Sequence, residues 1–401
     1  MKIEQRVPAA PTSAVRADVV VLAAFAGFGV IWGMYAAAIP AIRDATAVSD
    51  AFLGTALSGV GLTALPAMLM SGRFIDRAGR TAFTAALVLF AISAPLALVV
   101  TSAPALVAAL LVFGGCSGAY DVAINHAAVA AEAATGRRVL NRAHAVFSLG
   151  LLAGSLLMGA ARGAGMHPGW PLVAAGLLLL AGAVPAWRNL TAIHAPAGTT
   201  PPPRGRGAWA GPMVWVAGLL GVLALLVESG LQQWSAVFLE DNLHTAPGLS
   251  SLGPAIFAAS AATGRMAGHF LGNRLADIPL LVCSGLLVCP GVLVLATADH
   301  TAVALAGLLI AGAGISVGSP TLYGFAGRRV PASERGRTVA VVSGIAYVGL
   351  LGGPGVVGQI AAATTLRTAF AFLAAAALLM AIGSLSLRRW AKTSPSTSGS
   401  V

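Results

Sequence analysis

Only 9% of the residues in this 401-residue chain are charged, so the few ionisable side chains inside apolar runs are the first candidates for chemistry. Asp121 and Asn125 stand four residues apart, and Glu132 follows seven beyond Asn125. On a helix that spacing puts all three on one stripe. A carboxylate within a membrane span costs about a few kcal/mol and is retained where it faces a cavity or a partner. Asp121 is therefore a candidate proton carrier, and Glu132, near Arg137 and Arg138, is a second. His144, one turn from Ser148, is a third titratable candidate, because imidazole protonation falls near physiological pH. Each has a plainer reading: a structural hydrogen bond for Asp121, a membrane-interface position for Glu132 and a fixed hydrogen bond for His144.

A second group combines a carboxylate, amides and an indole. Glu228, Gln232, Gln233 and Trp234 fall within two turns of one apolar run. Such a set suits a polar solute, the ring giving apolar contact and the polar groups fixing orientation. Asn125, Trp32 and Tyr35 are further candidates for the same cavity wall. The plainer reading makes Trp234 part of an interfacial aromatic belt and Glu228 a link between helices.

The elements that must position these residues are membrane helices. Hydrophobic residues make up 57% of the chain and mean hydropathy is +0.86, far from ordinary globular composition. Apolar stretches long enough to cross a bilayer recur from Asp18 to Leu387. In lipid the backbone must satisfy its own hydrogen bonds, so these spans are helices. We expect twelve, at 18–41, 51–72, 81–101, 104–130, 143–164, 170–187, 212–238, 251–271, 278–297, 301–326, 337–361 and 366–386. The fold expected is all-α, with six-helix bundles over 1–187 and 212–401 around a central cavity. A polar, Pro- and Arg-containing linker, 188–211, joins them.

The net charge of +11 does not imply a nucleic-acid partner, because the basic residues sit in short loops. By the positive-inside rule, 20 of the 24 Lys and Arg fall on one side, which places both termini and the linker in the cytoplasm of an inner, plasma-type membrane. Cys116, Cys283 and Cys289 lack metal-ligand spacing, and no cofactor or metal is expected. Glycine patterns at 314–318 and 353–358 match a nucleophile elbow and a dinucleotide fingerprint. They lie in helical runs without the strand those motifs need, so no enzyme activity is expected.

The run Gly72-Arg73-Phe74-Ile75-Asp76-Arg77-Ala78-Gly79-Arg80 resembles the loop signature of the major facilitator superfamily, and the six-plus-six layout extends the resemblance over nearly the whole chain. Asp121 to Asn125, Glu132, the 144–150 run, Glu228, Gln233-Trp234 and Gly264 to Gly268 resemble the poorly characterised branch near the fucose permeases. His269 departs from that branch, where an acidic residue is usual. The first span also lacks the intramembrane carboxylate of fucose permease itself. The resemblance implies a conformational gate at Gly72, Asp76, Arg77, Gly79 and Arg80, with Asp76 meeting the start of the eleventh helix in one state. It further implies a secondary transporter of a small organic solute, coupled to protons, embedded in the bilayer and working as a monomer. The fifth-span glycines only partly match an antiporter pattern, since Ser155 stands where a proline is expected, so uptake and efflux both stay open. Facilitative sugar-type uptake and a non-transporting membrane sensor are the alternatives.

Overall fold

A computed structural model describes residues 12–190, 211–272 and 275–391. Among these, twelve long helices follow one another, numbered here in chain order: α1 Thr12–Thr46, α2 Asp50–Ala78, α3 Arg80–Val99, α4 Ala103–Thr135, α5 Val139–Gly163, α6 Gly169–Asn189, α7 Pro212–Asp241, α8 Leu252–Gly272, α9 Asp277–Ala296, α10 Thr301–Arg328, α11 Arg335–Ala363 and α12 Leu366–Ala391. All but α8 meet length and hydropathy criteria for a membrane span over the described residues. Helix α6 runs on through Arg188, which therefore closes a helix rather than opening a linker. The remainder of the expected linker, apart from Leu190 and Gly211, lies outside the described residues, as do His269's side chain and both chain ends.

Local chemistry sets several helix ends. The Ser49 hydroxyl accepts from the Phe52 amide at the start of α2, and Thr365 does the same for the Thr368 amide at the start of α12. Both occupy the position where a side-chain oxygen satisfies an otherwise orphaned N–H. Gly136 ends α4 in the left-handed region at φ 65, where a Cβ would be strained.

Small residues hold the helices together. The Cβ that Gly33 lacks would lie 2.1 Å from the Leu151 carbonyl oxygen, and that of Gly154 2.1 Å from the Val30 carbonyl. Helices α1 and α5 are thus in backbone contact. In the second half α7 and α11 repeat the pairing: a Cβ at Gly349 would lie 2.0 Å from the Val222 carbonyl. The α2–α4 contact at Gly114 and Gly118 is likewise matched by an α8–α10 contact at Gly264 and Gly312. Two similar bundles result, the arrangement of parallel repeats in transporters. Because lipid competes for apolar surface, such close backbone approach supplies much of the packing energy. Gly349→Ala is expected to lower stability by about 1–3 kcal/mol, since the contact is with backbone and cannot be relieved by a rotamer change. Thermal unfolding in detergent checks this, and a melting temperature equal to wild type would contradict it.

The two bundles meet at one end. There Gly54 and Ser58 of α2 abut Pro354, Gly355 and Gly358 of α11, the Gly355 amide donates to the Ser58 hydroxyl at 3.1 Å, and Gln359 Nε2 donates to Thr55 Oγ1 at 3.1 Å. Gly159 and Gly163 of α5 press on Gly248 and Ser251, just before α8. At the other end Gly72 on α2 and Gly336 and Gly344 on α11 face open space, and His144 on α5 is exposed. These are called the closed and open ends below.

Candidate functional site

Two ion pairs join the bundles at the closed end. Arg43, in the last turn of α1, donates to both carboxylate oxygens of Asp241 at the end of α7, one contact being 2.9 Å. Arg162, at the end of α5, forks onto Glu240 at 2.6 and 3.0 Å and also donates to the Ala37 carbonyl at 3.0 Å. The second pair is nearly dry, with Arg162 and Glu240 side chains 7% and 13% exposed. Bidentate arginine–carboxylate geometry is among the strongest polar contacts available to side chains. Arg43 and Arg162 are among the four Lys and Arg that fall outside the basic side of the chain. The Glu240-Asp241 doublet at the end of a span, opposite arginines at the ends of two others, was the missed signal.

Next to this seal a cavity of about 170 Å³ is lined from both bundles, by Trp32 and Tyr35 of α1, Gly61 and Met68 of α2, Gln232 and Gln233 of α7, and Tyr347 of α11. Four of the expected solute contacts thus share one wall system. Trp32 is braced by its indole N–H, which donates to Ser117 at 3.1 Å. The Tyr35 ring stacks on Phe113 at 4.5 Å, and its buried hydroxyl has no hydrogen-bond partner among the described residues. A buried hydroxyl left unpaired carries a desolvation cost.

One turn before Gln232, Glu228 accepts from Arg265 of α8 at 3.1 Å. Its side chain is 17% exposed, against 45% for Arg265. Tyr323 of α10 lies within electrostatic range of both Glu228 and Tyr347, Tyr347 within range of Asp121, and His144 within range of Arg265. These pairwise contacts link Asp121 and His144 of the first bundle to Glu228, Arg265, Tyr323 and Tyr347 of the second. Asn125 turns back along α4, donating to the Asp121 carbonyl at 2.8 Å and to its carboxylate at 3.1 Å, so it serves Asp121 directly.

The other expected residues are placed elsewhere. Trp234 is fully buried and its indole N–H donates to the Pro354 carbonyl at 3.1 Å. It packs the α7–α11 seam because its position is rotated away from Glu228 and Gln232. Glu132 accepts from the Leu140 amide at 3.1 Å, bracing the first turn of α5 instead of continuing the Asp121 stripe into the cavity. In the signature loop, Asp76 lies 3.4 Å from His126 of α4, within its own bundle. Arg80 stacks over the Trp187 ring at 4.5 Å, Arg77 is exposed, and Gly79 turns the chain between α2 and α3 at φ 49. Asp76 and α11 are separated in this conformation.

The major facilitator superfamily profile matches residues 21–331 and 235–400. The chain is 29% identical over 369 residues to an uncharacterized MFS-type transporter of Yersinia pestis, covering 91% of this chain and 93% of that one. It is 27% identical over 368 residues to the membrane protein MosC of Rhizobium meliloti, covering 89% and 86%. Among solved structures, a bacterial homologue of the human lysosomal transporter Spinster, inward-facing and occupied, superimposes with TM-score 0.76 at 16% identity over 95% of this chain and 98% of that one. A D-xylose–proton symporter does so with TM-score 0.73 at 15% identity over 96% and 99%. With twelve helices in two matching bundles and a profile match over most of its length, the chain belongs to the major facilitator superfamily of membrane transporters.

Proposed function

We propose that the chain moves a small organic solute by alternating access, coupled to protons, with both termini and the 188–211 segment in the cytoplasm. The observation that carries this reading is the position of the ionisable cluster. Asp121, Glu228, Arg265 and Tyr347 come from both bundles, and Tyr347 lines the inter-bundle cavity together with Gln232, one turn along α7 from Glu228. Groups so placed change their water exposure when the bundles rock, and a change in exposure changes proton affinity. In the orientation given by the basic residues, the open end faces the cytoplasm and this is the inward-open state. Rocking to the outward state breaks the Arg43–Asp241 and Arg162–Glu240 pairs and carries Asp76 toward the start of α11. Asp121 carries the proton and Glu228 contacts the solute.

The test is solute-dependent proton flux in proteoliposomes carrying the purified protein, followed with an entrapped pH dye across a metabolite panel. Flux that appears with one solute and not with its neighbours in the panel is the expected result. Solute movement without proton movement would reduce the protein to a facilitative carrier. Orientation has its own check: a cysteine placed in the 188–211 segment is expected to resist impermeant maleimide in intact cells and to react after permeabilisation. Labelling in intact cells would reverse the topology.

A further inference from the structure

Arg265 stands on α8, seven residues before its last described residue, and among the described residues little of its hydrogen-bonding capacity is used. Guanidinium offers five N–H donors in a planar fork matched to carboxylate. Here a single nitrogen reaches a single oxygen of Glu228, at 3.1 Å. Glu228 is largely enclosed, whereas Arg265 is nearly half exposed and turned toward the open end.

Arg265 also borders a basic groove formed by helices of the second bundle. Arg265 lines an open-end cavity of about 970 Å³ together with Arg328, Arg329 and Arg388, with Asp277 the acidic residue among them. Asp277 is already engaged by Arg328 at 2.5 Å and Arg329 at 3.3 Å. Excess positive charge beside Arg265 attracts anions and repels cations. The separate cavity between the bundles, lined by Gln232 one turn along α7 from Glu228 and by Trp32, Tyr35 and Gln233, suits a compact body with some apolar surface.

We infer that the transported solute is a small organic anion, whose carboxylate takes the fork of Arg265 and displaces Glu228, while Glu228 accepts a proton from the open-end water. This rests on the transport reading above and narrows its solute. Charge balances in the exchange: one negative group enters on the solute and one is neutralised on Glu228, so Arg265 keeps a single counter-charge throughout. The groups facing the pair from neighbouring helices fit the exchange. His144 of α5 lies on the Arg265 side and Tyr323 of α10 near Glu228. Asp121 of α4 lies in electrostatic range of Tyr347 of α11. Glu228 also explains how an empty carrier returns, because it neutralises the arginine when no solute is bound.

Binding of monocarboxylates from acetate to benzoate and indole-3-acetate, each beside its uncharged amide, tests this in detergent-purified full-length protein. Tryptophan fluorescence and thermal shift are the readouts, at millimolar ligand. At least one carboxylate should bind about tenfold or more tightly than its amide, the margin expected for a hydrogen bond to a charged group. Arg265→Gln should lose that preference and Arg265→Lys should recover part of it. Glu228→Gln should bind the same carboxylate more tightly than wild type, with the pH dependence flattened. Should Arg265→Gln fail to fold, the Arg265→Lys and Glu228→Gln pair carries the comparison. Equal binding of acids and amides, no carboxylate bound at all, or carboxylate binding untouched in Arg265→Gln would each overturn the inference. Solute-driven proton flux with an uncharged solute, unaffected by Arg265→Gln, would remove the anion assignment and leave the transport reading intact. Absence of solute-linked transport altogether would remove both.

Discussion

Asp121→Asn is expected to abolish gradient-driven accumulation while solute exchange across the membrane continues. Asparagine keeps the size of the side chain and can still take part in hydrogen bonding with Asn125, whose amide reaches the Asp121 carbonyl and carboxylate. What it removes is the group that can gain and lose a proton. Asp121 lies in electrostatic range of Tyr347 on the opposite bundle, so movement of the bundles changes its surroundings. A proton carrier whose titration is removed uncouples the downhill ion from the uphill solute, and accumulation ratios should fall to about one. Counterflow with preloaded vesicles reads exchange, and a pH-gradient assay reads accumulation. If the variant still accumulated solute and took up protons as wild type does, Asp121 would be a structural hydrogen bonder and the coupling site would lie elsewhere. Loss of exchange as well as accumulation would point to a packing defect.

The largest conformational effect is expected from Glu240→Ala. It leaves Arg162 beside the α7 end with a 7% exposed side chain and no carboxylate. Breaking a buried pair by removing one partner costs about 3–5 kcal/mol, far more than removing both. That cost falls on the state in which the closed end is shut, because the pair joins α5 to α7 across the bundles. An energy of about 3 kcal/mol shifts a two-state equilibrium more than a hundredfold, so the variant should populate the conformation in which the closed end gapes. A Ser251→Cys reporter, buried here against Gly159, should then become reactive toward aqueous maleimide. Arg162→Ala/Glu240→Ala should fall between the single variant and wild type, since no unpaired charge remains. Unchanged reactivity of the reporter in Glu240→Ala would show that the glycine contacts at Gly54, Gly159 and Gly358 hold the end shut without the ion pairs.

The amino-acid sequence determined the all-helical membrane class and the twelve spans, because hydropathy and length act locally and each span must satisfy its own backbone. It also picked out Asp121, Asn125, Glu228, Gln232, Trp32 and Tyr35, since a polar group inside an apolar run is visible without knowing its neighbours. Tertiary structure alone decided which of these cooperate. Trp234 and Glu228 are separated by less than two turns yet face different surroundings, one closing a helix seam through Pro354 and the other meeting Arg265. Helical rotation sets the face, and the partner helix sets what that face means. Glu132 continues the Asp121 stripe by residue count, but the chain turns back at Gly136 and its carboxylate is taken by the start of α5. The closed-end pairs join residues 198 and 78 positions apart in the chain. A pairing between helix ends so far separated leaves no local pattern in the sequence. It exists because two similar bundles lean together at one end, and leaning depends on glycine-to-backbone contacts whose partners only the folded chain specifies.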